Sequence, residues 1–168
     1  LQRANVDNHA ISCIASIDVK ADERAIHQLA EELDVPVRLY PAETLELETP
    51  RLVNPSKLVF QEVGCHGVAE GAALAAVGAQ GELLLAKQKS KRATLAVGRS
   101  PKPVNVDMIG RPRGHLSVVG IGPGSAEWRS PEVTNMVGAA TDLVGYSLYL
   151  DLLGDLTQGK TRHDFDLG

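Results

Sequence analysis

The sequence predicts an α/β protein: a compact three-layer α/β domain over residues 1–99, a connector over 100–114, and a shorter α/β segment over 115–168. Three observations carry this. Short apolar runs of strand length alternate with stretches whose apolar residues recur at helical spacing, in residues 12–40 and again after residue 115. The 168 residues are 43% hydrophobic but only 4% aromatic, so the core has to be built from Val, Leu, Ile and Ala. Sixteen glycines and nine prolines follow no period, which excludes collagen and fits a chain rich in turns.

The first domain reads as strand, tight turn, helix. SCIASI, residues 12–17, is the strand, and ADERAIHQLAEEL supplies a one-sided stripe at Ile26, Leu29, Ala30 and Leu33. Asp22 is the expected N-cap, with Asp34 and Pro36 at the exit. Val37 to Tyr40 is a second short strand. A weak helical turn over Ala42 to Leu47 is closed by Pro50, and residues 51–57 read as a loop around Asn54, Pro55 and Ser56. From Gly67 an alanine-rich helix begins, and Gly71 within it implies tight packing on that face. Strands over Glu82 to Ala86 and Ala93 to Val97 follow, joined by the charged turn KQKSKR.

Composition breaks at residue 99, where RSPKPVNVDMIGRPRG carries three prolines and two glycines without periodicity, the pattern of a linker. Beyond it His115 to Ile121 reads as a buried-type strand and Gly122 to Gly124 as a tight loop. Pro131 to Ala140 is a helix, Leu143 and Val144 open a strand, and Ser147 to Leu153 is a second helix. Four such elements are too few to close a parallel sheet, so residues 115–168 are expected to pack more loosely than 11–99.

A net charge of −4 gives no basic excess for nucleic acid, and no apolar run reaches the ~20 residues that span a bilayer. Nucleic acid and membrane are therefore not expected partners. Cys13 and Cys65 form no Cys-x-x-Cys, which favours a reduced, cytoplasmic protein. The chain opens on Leu1 and reads as a piece of something longer. No metal is expected: the five histidines are scattered, and the adjacent Cys65 and His66 cannot both face one ion from regular backbone. GDLTQGKT, Gly154 to Thr161, fits the phosphate-loop spacing literally, but a helix precedes it where a strand is needed, so a solvated turn is the expectation. In VVGIGPGSAEW, the glycines at 120, 122 and 124 serve either a small-molecule site or a structural turn.

Two family resemblances sharpen this. Residues 116–168, with LSVVGIGPGSAEWRSPEV, AATDLVGYSLYLDLL and GKTRHDFDLG, resemble the start of the tetrapyrrole methylases, specifically the precorrin-3B C17-methyltransferase branch. The resemblance implies an S-adenosylmethionine site at Gly122, Pro123 and Gly124, although Ser125 stands where the family usually has Asp. Tyr146 and Tyr149 match its Gly-Tyr-x-x-Tyr segment, which makes Tyr146 a substrate candidate. It also implies methylation of C17 with ring contraction by a longer parent. No cofactor is expected on this piece alone, and no residue is singled out as catalytic. Residues 1–99 resemble the cobalamin-biosynthesis accessory domain that also forms the C-terminal part of the cobalt-precorrin-5A hydrolase. IASIDVKADERAIHQLAEEL, PVRLYPAETL and GCHGVAEGAALAAVGAQGELLLAKQKSKRATLAVGR carry that likeness, which lacks the family's first strand. Both resemblances imply a corrin-pathway tetrapyrrole as partner, with homodimer formation left open. A non-catalytic binding module and a purely structural domain are the rival readings.

The candidate groups follow from this placement. Lys20, with Asp18 and Glu23, stands at a strand end where α/β proteins put ligands, or forms a local ion pair. Glu70 lies in the first turns of the alanine-rich helix, where the helix dipole favours it with or without a function. Ser56 is either a ligand group or a cap. His66 is placed to meet a substrate carboxylate, and KQKSKR, including Lys87, to attract one or simply to be solvated.

Overall fold

The computed structural model describes residues 6–165 of the chain. The chain divides into two units, Leu1–Gly114 and His115–Gly168, each with its own core.

In the first unit β1 (Ile14–Ile17) and β2 (Val37–Tyr40) form a parallel pair in the register Ile14–Val37 to Ile17–Tyr40. The crossover between them is α1 (Arg24–Leu33), whose apolar stripe buries Ala30. The helix stops because Asp34 takes a left-handed conformation at φ 54°, the only non-glycine residue to do so among those described. Glu23, not Asp22, holds the N-cap position, and it makes no side-chain cap bond. The Asp22 carboxylate is drawn instead to Arg113, at 2.8 Å.

After β2 the chain winds through α2 (Ala42–Glu46), a 3-10 turn at Thr49–Arg51, α3 (Lys57–Val63) and α4 (Val68–Val77). Strand alternation puts Ile17 and Tyr40 on one face of the pair, where they pack with Leu45, Cys65, Ala72 and Ala76. α4 is the centre of this unit: it contacts β1 on one side and the hairpin of β3 (Glu82–Lys89) and β4 (Thr94–Arg99) on the other. Its small side chains permit close approach. A Cβ on Gly71 would stand 3.3 Å from Leu45, and one on Gly98 of β4 would stand 2.7 Å from the Ala73 carbonyl oxygen. The expectation of tight packing at Gly71 is met. β3 runs three residues further than expected, so Lys87, Gln88 and Lys89 are strand residues and the turn shrinks to Ser90–Ala93, closed by the Ser90 N–H on the Ala93 carbonyl at 2.8 Å.

Residues 105–113 pack on this unit. Leu39 and Arg111 exchange two backbone hydrogen bonds of 2.8 Å each, an antiparallel bridge on the outer edge of β2. Ile109 packs against the buried cluster, and Arg38 donates to Asp107 at 2.8 Å.

In the second unit α5 (Pro131–Ala139) starts at Ser130, whose hydroxyl accepts from the Val133 N–H. β5 (Asp142–Tyr146) pairs in parallel with β6 (Thr161–Phe165), with α6 (Ser147–Asp151) in the crossover. Val137, Leu143, Leu150 and Leu153 are its buried core. The expected strand at His115 to Ile121 is absent. Val119 and Ile121 pack against the core, but Leu116 and Val118 are 84% and 92% exposed. The strand that pairs with β5 is the unforeseen β6, and residues 115–121 have no strand partner among the described residues.

Candidate functional site

The polar groups at the C-terminal ends of β1 and β2 gather on the short helices that follow. Cys65 is fully buried in the same cluster as Ile17 and Tyr40, the last residues of the two strands, and this places His66 just beyond the strand ends. Glu46, the last residue of α2, fixes the imidazole. His66 Nδ1 lies 2.9 and 3.0 Å from the two Glu46 oxygens, and the His66 backbone N–H donates to Oε2 at 2.9 Å. Phe60 of α3 stacks on the ring at 4.6 Å between centroids. Because an ionised carboxylate only accepts, Nδ1 is the donor to Glu46, and Nε2 has no protein partner among the described residues. The side chains of His66 and Glu46 are 27% and 33% exposed. Burial works to raise the Glu46 pKa, but the His66 N–H, the His66 ring and the Thr49 hydroxyl together hold it below the ordinary range.

Ser56 joins this group through its backbone. Its N–H donates to the His66 carbonyl at 2.7 Å, while its hydroxyl accepts from Val59 N–H at 3.4 Å and caps α3. Lys20 lies in the 3-10 turn after β1 and pairs with Glu23 at 3.0 Å, both about half exposed. Glu70 has a structural task. It is 1% exposed, and its two oxygens accept four protein donors: the Val53 and Asn54 N–H groups, the Asn54 amide and the Lys87 N–H, at 2.8–2.9 Å. Its lone pairs are filled, so no capacity remains for a ligand. Burial raises its pKa, yet those four donors outweigh it and leave the carboxyl below its usual value. Lys87 reinforces the same loop by donating from Nζ to the Asn54 carbonyl at 2.9 Å.

Sequence reasoning missed Glu46, Phe60 and Arg38. Glu46 and Phe60 sit 20 and 6 residues from His66, at no fixed spacing that marks a pair. Arg38 did leave a signal, a cation two residues before Tyr40 on the inward face of a four-residue strand.

Two adjoining surface clefts of about 410 and 560 Å³ lie elsewhere on this unit, sharing His27, Glu31 and Arg113 along α1; Arg38 lines the larger one. Cys13 and Cys65 are both free thiols, and burial raises the pKa of each. Among the described residues no group of three or more potential ligands could hold a metal, and no helix is long and apolar enough to cross a membrane.

In the second unit Gly122 and Gly124 adopt φ of 71° and 113°. A Cβ on Gly122 would stand 3.0 Å from the Trp128 carbonyl, and one on Gly124 would stand 3.1 Å from the Leu152 methyls. Close internal packing therefore accounts for both glycines, and Pro123 between them is exposed. Tyr146 ends β5 and meets Tyr149 edge to face at 5.5 Å. The phosphate-loop look-alike opens into strand β6, not a helix. Lys160 Nζ donates to the Gly138 and Ala140 carbonyls at 2.7 and 2.6 Å, closing the end of α5.

The model of the family described as cobalamin synthesis G C-terminus matches residues 1–98. The chain belongs to that family. The likeness extends to protein CobE of a Sinorhizobium species, 45% identical over 97 residues, which cover 58% of this chain and 63% of that protein. In the solved structures it reaches CobE, a protein from the cobalamin biosynthetic pathway, at 37% identity and a TM-score of 0.56 over 61% of this chain and 77% of the other. The cobalamin biosynthesis protein CobIJ of Mycobacterium tuberculosis is 43% identical over 53 residues, 32% of this chain and 10% of its own length. The chain thus spans less than two thirds of either curated relative, and the likeness to the solved CobE is one of mixed α/β fold.

Proposed function

We propose that this chain serves corrin-ring synthesis by presenting a carboxylate-bearing tetrapyrrole intermediate to the ends of β1 and β2, with His66 as the contact group. Membership of the cobalamin synthesis G C-terminus family over residues 1–98 is the observation that carries this reading. The geometry supports it: Glu46 holds His66 through Nδ1, which leaves Nε2 to donate, when it carries a proton, to an acetate or propionate arm. Lys20 adds an exposed cation at the same end of the sheet once its pairing with Glu23 loosens, and Ser56 holds the backbone of His66 in place.

In the longer parent, the second unit is the opening of an S-adenosylmethionine-dependent precorrin-3B C17-methyltransferase, which methylates C17 with ring contraction. The 53-residue likeness to CobIJ supports this. Gly122, Pro123 and Gly124 are the part of the cofactor site this chain contributes, and Tyr146 a substrate contact. One loop encloses too little of a small ligand to bind it alone, since tight sites bury about 70–90% of the ligand surface. A second reading makes this chain a non-catalytic binding module, and the internal packing of Trp128 and Leu152 against the loop glycines favours it.

Fluorescence titration of uroporphyrin into the full chain tests the proposal. His66→Ala and Lys20→Ala are each expected to weaken binding by about 1.5–3 kcal/mol, the worth of a hydrogen bond to a charged group. Equal affinity in wild type and both variants refutes the site, and methyl transfer from labelled S-adenosylmethionine by the parent protein separates the two readings.

A further inference from the structure

Arg38 is an unusual residue for the inward face of a parallel strand pair. It is 7% exposed and stands in register with Ala15, beside Tyr40. A guanidinium has five N–H donors, and a buried one is tolerated when they are met. Here Nη2 donates to Asp107 Oδ1 at 2.8 Å, while Nε is buried without a partner. Nε–H and Nη2 share one edge of the planar group, the edge that grips a carboxylate through two parallel bonds. Asp107 fills half of that fork. The Tyr40 hydroxyl, 5% exposed with its residue, is likewise buried and unpartnered.

Two facts separate Arg38 from its present partner. The Asp107 side chain is 84% exposed, so its carboxylate stands in water with one oxygen on Arg38 and can leave without uncovering a core. Arg38 also lies within residues 1–98, which match the family, whereas Asp107 lies beyond them. A 560 Å³ surface cleft, with Val35, Pro36 and Pro112 as apolar walls, also borders Arg38.

We infer that Arg38 anchors a carboxylate-binding site and that Asp107 occupies it as an internal stand-in. A ligand carboxylate displaces Asp107, takes the Nη2 donor and adds the Nε bond that Asp107 leaves unmade. Its source is either a free small di- or tricarboxylate or an arm of the tetrapyrrole; only the second choice rests on the function proposed above.

Calorimetric titration of the full chain with citrate and, separately, with uroporphyrin tests this. Asp107→Asn removes the competing charge at an exposed position and is expected to tighten at least one of the two by about tenfold, and adding Arg38→Lys, which keeps the charge but not the fork, is expected to abolish that gain. A gain for citrate alone upholds the site and rejects the tetrapyrrole as its source. No gain for either probe, or a gain that survives Arg38→Lys, overturns the inference. The wild-type chain gives an independent reading: whichever probe binds is expected to move the Arg38 Nε–H resonance downfield, and a resonance unmoved by both probes also overturns it.

Discussion

At the scale of single residues, Glu70 shows how a charged group in a small-residue helix can be structural through and through. Replacing it with Ala leaves three backbone N–H groups and the Asn54 amide short of an acceptor, and we expect a loss of about 3 kcal/mol or more in the chemical unfolding of the first unit. The same carboxylate sets a pH dependence. Glu46 and Glu70 have lowered folded-state values, so the stability they contribute is fully present above the unfolded value of about 4.3 and is lost as pH falls through the folded ones. A melting temperature of the first unit that is flat from neutral pH to about 5 and declines below is expected, with a shallower acid limb in Glu70→Gln. An acid limb unchanged by that substitution would count against the assignment. The helix dipole was a sufficient reason to expect Glu70 where it is, but its real partners are 16 and 17 residues away, at separations no local pattern reveals. Ser56 is the converse case: a cap and its helix are three residues apart, and that part of its role was readable.

Elements whose stability is local were the ones the sequence disclosed. α1 carries a clear helical stripe, α4 an alanine-rich run, and β2 and the β3–β4 hairpin short strand-length runs beside turn residues, whereas α3 has seven residues and buries none of them, so KLVFQEV left no stripe to read. The segment at His115 to Ile121 failed for the opposite reason, since its composition is that of a strand but a strand exists only with a neighbour. Rapid amide exchange over 116–118, against slow exchange in β1 and α4, is the expected measurement. Where α4 meets β4 there is no slack. Gly98→Ala forces a methyl against the Ala73 carbonyl, and a destabilisation of about 1–3 kcal/mol is expected in urea titration. In the second unit Lys160→Met removes two bonds from the closing turn of α5 and should lower the unit's stability by about 1 kcal/mol, read as a shift in its own melting transition.

At the scale of the whole molecule, composition changes at residue 99, whereas the structure keeps residues 100–114, expected to be a connector, within the first unit. Proline and glycine marked residues 100–114 as irregular; what they could not mark is that an irregular segment can still dock, because docking depends on Leu39, Arg38 and the core meeting it in space. A chain ending at residue 99 is therefore expected to unfold at lower denaturant than one ending at 114, by about 1–3 kcal/mol, and equal midpoints would show that the docked segment contributes nothing. The bridge between Leu39 and Arg111 has a further consequence, for colloidal behaviour. β2 is the outer strand of a two-stranded pair, and its outward N–H and C=O groups invite any extended chain that drifts past. By laying Arg111 across that edge, with Pro112 next to it to stop further zippering, the molecule keeps neighbouring copies from adding strands to it. Shortening the chain to residue 99 strips this guard, so the shorter form should scatter light and self-associate at concentrations where the longer one stays clear.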